Sequence, residues 1–450
     1  MNRPIQLNIG QSYIVSEAVK WFKESDAMIF QYDGPPGSGK SIVLNAIVKE
    51  LDLDIYTEVA PMSFIGAASL VMRTKGLYTA RTAHSWCYDI VETPRKDENG
   101  EICRDSYGNI IKYTVFYPKK KLPDSIKLII IDEAYCMPAS MRPIIESFGI
   151  KILACGDQNQ LPPVKDRPAF LVDGYIYHLT EIMRQTGVED ISFIANRAMR
   201  GLPLLNGYYG HSMVIDREDL TDSMLCWADV VICCTNNTRD KINAHIRYIK
   251  GYSGILPNYG ERLVCRNNQW SDGVLDNFGN EIFLVNGLIG TVENQPGVES
   301  FDGKKKTFSV AFRPDLAPEC LFTVDANYDY IVSDNKMRQL IKKDKYELGT
   351  MFEFAYAITC HISQGSQFHK VIYIEESMGG NIQSCLNLIG PTRADQQLIY
   401  VKNNYRPWID YNDPIQYNLS NYERLSKVKE RNNNENKWFN SKENKRYEQY

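Results

Sequence analysis

The stretch FQYDGPPGSGKSIVLNAIVKEL, Phe30 to Leu51, constrains the fold of this chain more than any other segment. An apolar run leads into GPPGSGKS, Gly34 to Ser41, and a helical pattern follows from Ile42 to Leu51. Glycines at 34, 37 and 39 let successive backbone N–H groups face one anion, and the helix after them brings its positive end to the same point. The segment is a complete G-x-x-x-x-G-K-[ST] loop, which requires a strand before it and a helix behind it. Gly34, Pro35, Pro36, Gly37, Ser38, Gly39, Lys40 and Ser41 are therefore the expected nucleotide-binding residues. Lys40 would reach the β- and γ-phosphates of ATP, and the Ser41 hydroxyl would bind Mg²⁺.

A second stretch, KLIIIDEAYC, gives the loop a partner. Leu128 to Ile131 is a continuous apolar run suited to a strand buried on both faces, and it ends in Asp132-Glu133. Two strand-end carboxylates facing solvent would be the ordinary account of such a pair alone. Beside an intact phosphate loop, Asp132 is expected to hold Mg²⁺ and Glu133 to polarise the attacking water. Further along, LACGDQNQLPPV supplies Gln160, a neutral group able to contact both the γ-phosphate and that water. Arg184 in LTEIMRQ and Arg393 in GPTRADQ suit the charge that develops on a transferring phosphoryl group, although either alone could be a surface ion-pair residue.

Strand-like runs at Met28 to Tyr32, Ile55 to Val59, Leu128 to Ile131 and Ile150 to Cys155 alternate with helical patterns, which predicts a parallel α/β sheet. Turn signals around Asn99-Gly100 and Tyr107-Gly108-Asn109 interrupt that rhythm and predict a small β-hairpin insertion. A second α/β rhythm begins near Ile191, with strands expected at Asp229 to Cys234, Val371 to Glu375 and Gln397 to Val401. Short alternating segments between Gly287 and Lys345 predict a small β-barrel inserted in it. From Arg424 the sequence turns Asn-rich and charged, with eight Lys/Arg against four Asp/Glu, and reads as a mobile tail or a solvated helix.

Composition sets outer limits. At 450 residues the chain has room for two to four compact units, and its net charge of −4 gives no global support for a nucleic-acid partner, so any basic track must be local. Eleven scattered cysteines without a C-x-x-C pair read as reduced core residues. The N-terminus has no apolar signal core and no segment reaches the length of a membrane span, so a soluble protein of a reducing compartment is expected.

In order and spacing the motifs resemble a superfamily 1B DNA helicase of the RecD-like, Dda-like group, the phage Dda type, over roughly residues 7 to 402. LNIGQ resembles the adenine-reading Q motif with Gln11 as reader. GPPGSGKS, IIIDEAY, GDQNQLPPV and LTEIMRQ resemble motifs I to IV, with Arg184 as an arginine finger. FAYAITCHISQGSQF resembles motif V, and Thr392-Arg393-Ala394 the end of motif VI. Ile362 stands where the family usually has a lysine, and Met62 where it usually has a threonine.

The resemblance implies two RecA-like parallel-sheet domains. Residues 1–185 form the first, with the hairpin insertion at 87–126; residues 186–423 form the second, with an SH3-like β-barrel at 288–348; the tail is 424–450. It implies ATP hydrolysis coupled to movement along single-stranded DNA, 5′ to 3′, with unwinding of forked duplex DNA in replication, recombination or repair. Pro61, Ser63, Thr82, His84, Thr359, His361 and Ser363 are the expected nucleic-acid contacts, with Trp86, Tyr107 or Tyr113 as candidates to stack on bases. A monomer in a bacterial or phage-infected cytoplasm, working beside single-strand-binding or replication proteins and away from membranes, is the expected setting. Two other readings stay open: the same motor acting on RNA, and a nucleotide-gated clamp that holds nucleic acid without unwinding it.

Overall fold

The structure, a computed structural model, describes residues 6–403 apart from 98, 105–109, 111, 164–165, 182–188, 270–272, 278, 280, 303–304, 344–348 and 379. Arg184, Tyr107 and the tail at 424–450 therefore lie outside the described residues. The chain divides into two compact units: Met1–Arg184 with Gly251–Tyr356 and His361–Ser366, and Gln185–Lys250 with Ala357–Cys360 and Gln367–Tyr450.

The first unit holds a six-stranded parallel sheet. Its strands run in the order Arg81–Thr82, Val59–Ser63, Leu128–Asp132, Lys151–Gly156, Ile29–Asp33 and Ile176–His178. The apolar run ending in Asp132 shows why this sheet is buried on both faces. Leu128 and Ile130 join one core layer, with Val43, Leu44 and Ile47 of helix Lys40–Glu50 and Ile14 and Ala18 of helix Ile9–Glu24. Ile129 and Ile131 join the other, with Met141 and Ile145. Successive strand side chains point to opposite faces, so one run feeds two cores, each large aliphatic contributing about 1.5–3 kcal/mol on burial.

One expected strand is displaced. Ile55 to Glu58 form a turn, and the strand is Val59–Ser63. The Asp54 side chain accepts from Tyr56 N (2.9 Å) and Thr57 Oγ1 (2.7 Å), while Glu58 N donates to Asp54 O (2.8 Å). An aspartate gathering local donors in this way holds a turn against extension.

Strands Tyr88–Pro94 and Lys112–Pro118 pair antiparallel, from Tyr88 opposite Pro118 to Pro94 opposite Lys112. A further antiparallel sheet runs Val298–Asp302, Lys305–Pro314, Ile289–Val292, Arg262–Cys265 and Phe352–Phe354, with Phe322–Asn327 also on Lys305–Pro314. It takes strands from either side of the 288–348 range read from turn signals. Leu263 and Phe352, both fully buried, belong to its core, and the Phe312 and Phe352 rings lie 5.0 Å apart.

The second unit carries its own α/β sheet, ordered Ala357–Thr359, Val230–Cys233, Phe368–Ile374, Ala394–Lys402, Ser212–Asp216 and Gly207–Tyr209. All neighbours are parallel except the last pair. All eleven cysteines are free thiols, and no helix among the described residues is long and apolar enough to cross a membrane.

Candidate nucleotide site

Register assembles the site. Asp33 pairs with Gly156 and Ile131 with Ala154, so three neighbouring strands end together, and each continues into one of the predicted motifs: the loop from Gly34, the pair Asp132-Glu133, and Asp157 to Gln160. Crevices at the carboxyl ends of parallel strands are where α/β sheets bind ligands. Gly34 N donates to Gly156 O (3.1 Å), which joins the first and third segments directly. A Cβ on Gly156 would lie 3.0 Å from both Ala134 N and Leu171 Cδ1, so a side chain there would press on the chain after Glu133.

Within the loop, Gly39 caps helix Lys40–Glu50 in the left-handed region, with φ 84°. Lys40 Nζ donates to Gly34 O (2.7 Å) and more weakly to Pro35 O (3.4 Å), so its ammonium lies back across the loop that it would share with phosphate oxygens. Ser38 is buried, and among the described residues its Oγ has no hydrogen-bond partner. Ser41 Oγ accepts from Lys75 Nζ at 3.4 Å.

Gln11, expected to read adenine, is almost fully buried and bonded at both ends of its amide. Oε1 accepts from Asn8 N (3.1 Å), and Nε2 donates to Ser38 O (2.9 Å). With Asn8 Oδ1 accepting from Gln11 N (2.7 Å), this is a capping box whose far end grips the phosphate loop.

Asp132 Oδ1 accepts from Glu133 N (2.9 Å) and from the Cys155 thiol (3.2 Å). Glu133 adopts φ 53°, ψ 42°, a left-handed conformation that costs a non-glycine residue roughly 1–2 kcal/mol. Backbone strain of this kind concentrates at functional sites. Asp157 is 2% exposed, and among the described residues its Oδ2 has no partner; burial raises its carboxyl above the ordinary range, and the nearby Lys40 charge opposes that rise. Gln160 is equally buried, and among the described residues its Oε1 also lacks a partner.

Two hard oxygens, from Asp132 and Ser41, fit Mg²⁺, which takes one or two protein carboxylates or hydroxyls and keeps several waters. Asp157, Cys155 and Tyr32 went unassigned in the sequence. Only strand register, which sequence spacing does not give, places them beside the predicted residues.

Of the expected nucleic-acid contacts, most side chains are internal. Pro61, Ser63 and Thr82 are buried; Ser63 Oγ accepts from Ile65 N (3.4 Å), and Thr82 Oγ1 caps helix Ala83–Cys87 by accepting from Ser85 N (3.3 Å). Trp86 donates to Pro61 O (2.8 Å) and lies beneath Arg81. His84 is half-buried among Phe64, Tyr88 and Phe116, and burial lowers its pKa. Ser363 is buried, whereas His361 is exposed. In the second unit, Thr359 is buried and Arg393 is 5% exposed, its Nε donating to Ile389 O (3.2 Å). Small strand-end residues suited to phosphate contact are equally suited to packing and capping, and here the hydroxyls of Ser63 and Thr82 are spent on neighbouring backbone.

Residues 6–211 match the family model described as "AAA domain", which agrees with the nucleotide-binding motifs and with the parallel sheet that carries them. No curated protein matches the chain. Among solved structures, the chain is similar to the Pif1 helicase from Candida albicans, at 18% identity over 93% of this chain and 100% of that chain, with a TM-score of 0.49. It is also similar to the Pif1 helicase from Bacteroides in complex with ADP-AlF3 and ssDNA, at 16% identity over 93% of this chain and 97% of that chain, with a TM-score of 0.49.

Proposed function

We propose that this chain is an ATP-driven DNA helicase of superfamily 1B. The observation that carries the reading is the common ending of three register-locked strands, which gathers Lys40, Asp132, Glu133 and Gln160 at one edge of one sheet. A chance glycine turn would not come with a buried glutamine beyond the end of the adjacent strand and an acidic pair at the end of the strand after that.

Each residue then has a task that its position allows. Lys40 exchanges loop carbonyls for phosphate oxygens, and the backbone N–H groups of Gly37 to Ser41 hold the rest of the anion. Mg²⁺, when bound, neutralises charge on the β- and γ-phosphates. Asp132 and Ser41 hold it, Glu133 takes a proton from the attacking water, and Gln160 orients that water through its unpartnered oxygen. Gln11 reads the adenine edge while bracing Ser38. Arg184 and Arg393 supply positive charge as the phosphoryl group transfers.

The finer assignments belong to the same proposal. The protein moves 5′ to 3′ on single-stranded DNA as a monomer and opens forked duplex, with domains at 1–185 and 186–423 and the hairpin at 87–126 in the first. Pro61, Ser63, Thr82, His84, Thr359, His361 and Ser363 line the strand's path. Unwinding of a forked duplex with a 5′ single-stranded tail, in ATP and Mg²⁺, tests this: strand separation on that fork and none on its 3′-tailed counterpart is expected. ATP-independent strand retention without separation would favour a clamp.

A further inference from the structure

Tyr32, Cys155 and Asp132 stand abreast on three neighbouring parallel strands. Tyr32 is paired with Cys155, and the pairing of Ile131 with Ala154 sets Asp132 beside Cys155. Residues abreast on such strands face the same way, so the three form one row beneath the phosphate loop. Both ends of the row reach the site. The Tyr32 hydroxyl donates to Lys40 O (2.9 Å), and the Cys155 thiol donates to Asp132 Oδ1 (3.2 Å). That same oxygen accepts Glu133 N (2.9 Å), and among the described residues no contact falls on Oδ2.

We propose that Cys155 is a positioning residue for the nucleotide's Mg²⁺: its thiol and the Glu133 N–H occupy Oδ1 and leave Oδ2 as the one metal-facing oxygen of Asp132. The inference rests on the ATP reading above. A carboxylate held by a single backbone N–H can rotate and offer either oxygen, whereas Mg²⁺ demands near-octahedral order and tolerates little freedom in its ligands. Outer-sphere donors supply that order, and their loss typically weakens metal binding 10–100-fold. Cys155 is fully buried, so water cannot replace the missing donor. The competing account is that Cys155 is a small apolar residue filling a gap, as buried free cysteines often do. That account predicts that volume matters and the S–H does not.

The test is a titration of Mg²⁺ into the full chain with a fluorescent, non-hydrolysable ATP analogue, comparing wild type, Cys155→Val, Cys155→Ala and Cys155→Ser. Val and Ala remove the donor with different volumes, and Ser keeps a donor. The half-saturating Mg²⁺ concentration should rise about 10-fold in both donor-less variants, with affinity for the metal-free analogue unchanged, and Ser should restore most of it. Equal shifts in all three variants, or none in any, would overturn the proposal in favour of packing. Should Val fail to fold, the Ala and Ser pair decides alone. A wild type whose analogue binding ignores Mg²⁺ would overturn the ATP reading and this inference together; a normal wild type with unshifted variants overturns only this one.

Discussion

At the scale of single residues, the site mixes groups bonded within the protein with groups left unpaired. Among the described residues Lys40 Nζ is held by loop carbonyls, and Lys40→Ala removes the one cation of the loop Gly34 to Ser41 that could meet the β- and γ-phosphates. Turnover should fall by about 10²–10³ or more, measured as phosphate release at saturating ATP. Glu133→Gln should retain ATP binding and hold single-stranded DNA while turnover collapses; near-normal turnover would remove Glu133 from the role of water activator. Asp157 shows the opposite bias, toward stability lost for function. Burial raises its carboxyl, so the fold favours the protonated form. Its stabilising contribution is full below the unfolded pKa and is lost as pH rises through the higher folded value. Asp157→Asn should therefore melt above wild type at pH 7, and the gap should close toward pH 4. A lower melting temperature at pH 7 would mean that the Lys40 charge outweighs burial.

At the scale of elements, the hairpin of Tyr88–Pro94 and Lys112–Pro118 is the part whose role is most open to a direct cut. It presents Val91, Phe116 and Tyr117 as exposed side chains, unlike a hairpin built only for packing. We hypothesise that it parts the duplex, with an aromatic stacking on the last base pair at roughly 1–3 kcal/mol per base. Replacing residues 105–110 by a short Gly-Ser turn should leave strand-stimulated ATPase near normal and sharply reduce unwinding. If both activities fall together, the hairpin is part of the folded motor. Elements were legible where one signal dominated: the phosphate loop forced a strand and a helix, and the run before Asp132 could only be a strand buried twice over. Legibility failed where local bonding beat pattern. Ile55 to Glu58 read as a strand, yet Asp54 gathers the donors that bend it. The antiparallel sheet was placed by its turns at 288–348, but strands Arg262–Cys265 and Phe352–Phe354 join it from outside, through pairings distant in sequence. The side chains proposed for nucleic acid were the least legible. The same small hydroxyls serve as caps, and Thr82 serves as one here.

At the scale of the whole molecule, the chain passes between its two units at 184/185, 250/251, 356/357, 360/361 and 366/367, so the segment resembling motif V belongs partly to each. Arg393, in the second unit, is bonded to its own helix end and almost fully buried. Arg393→Ala should slow turnover by on the order of 10³ with ATP affinity little changed if it acts on the transferring phosphoryl group. A lowered melting temperature with an unchanged rate constant would assign it to packing. A net charge of −4 means that nucleic-acid binding must come from local features, and it leaves the choice between DNA and RNA to experiment. The central claim, that ATP turnover in this chain is coupled to a DNA strand, is tested most directly by steady-state ATP hydrolysis in Mg²⁺ with no nucleic acid, with single-stranded DNA, and with RNA of equal sequence. The account predicts slow basal hydrolysis and strong stimulation by DNA; a rate indifferent to DNA, or one raised by RNA alone, would contradict it.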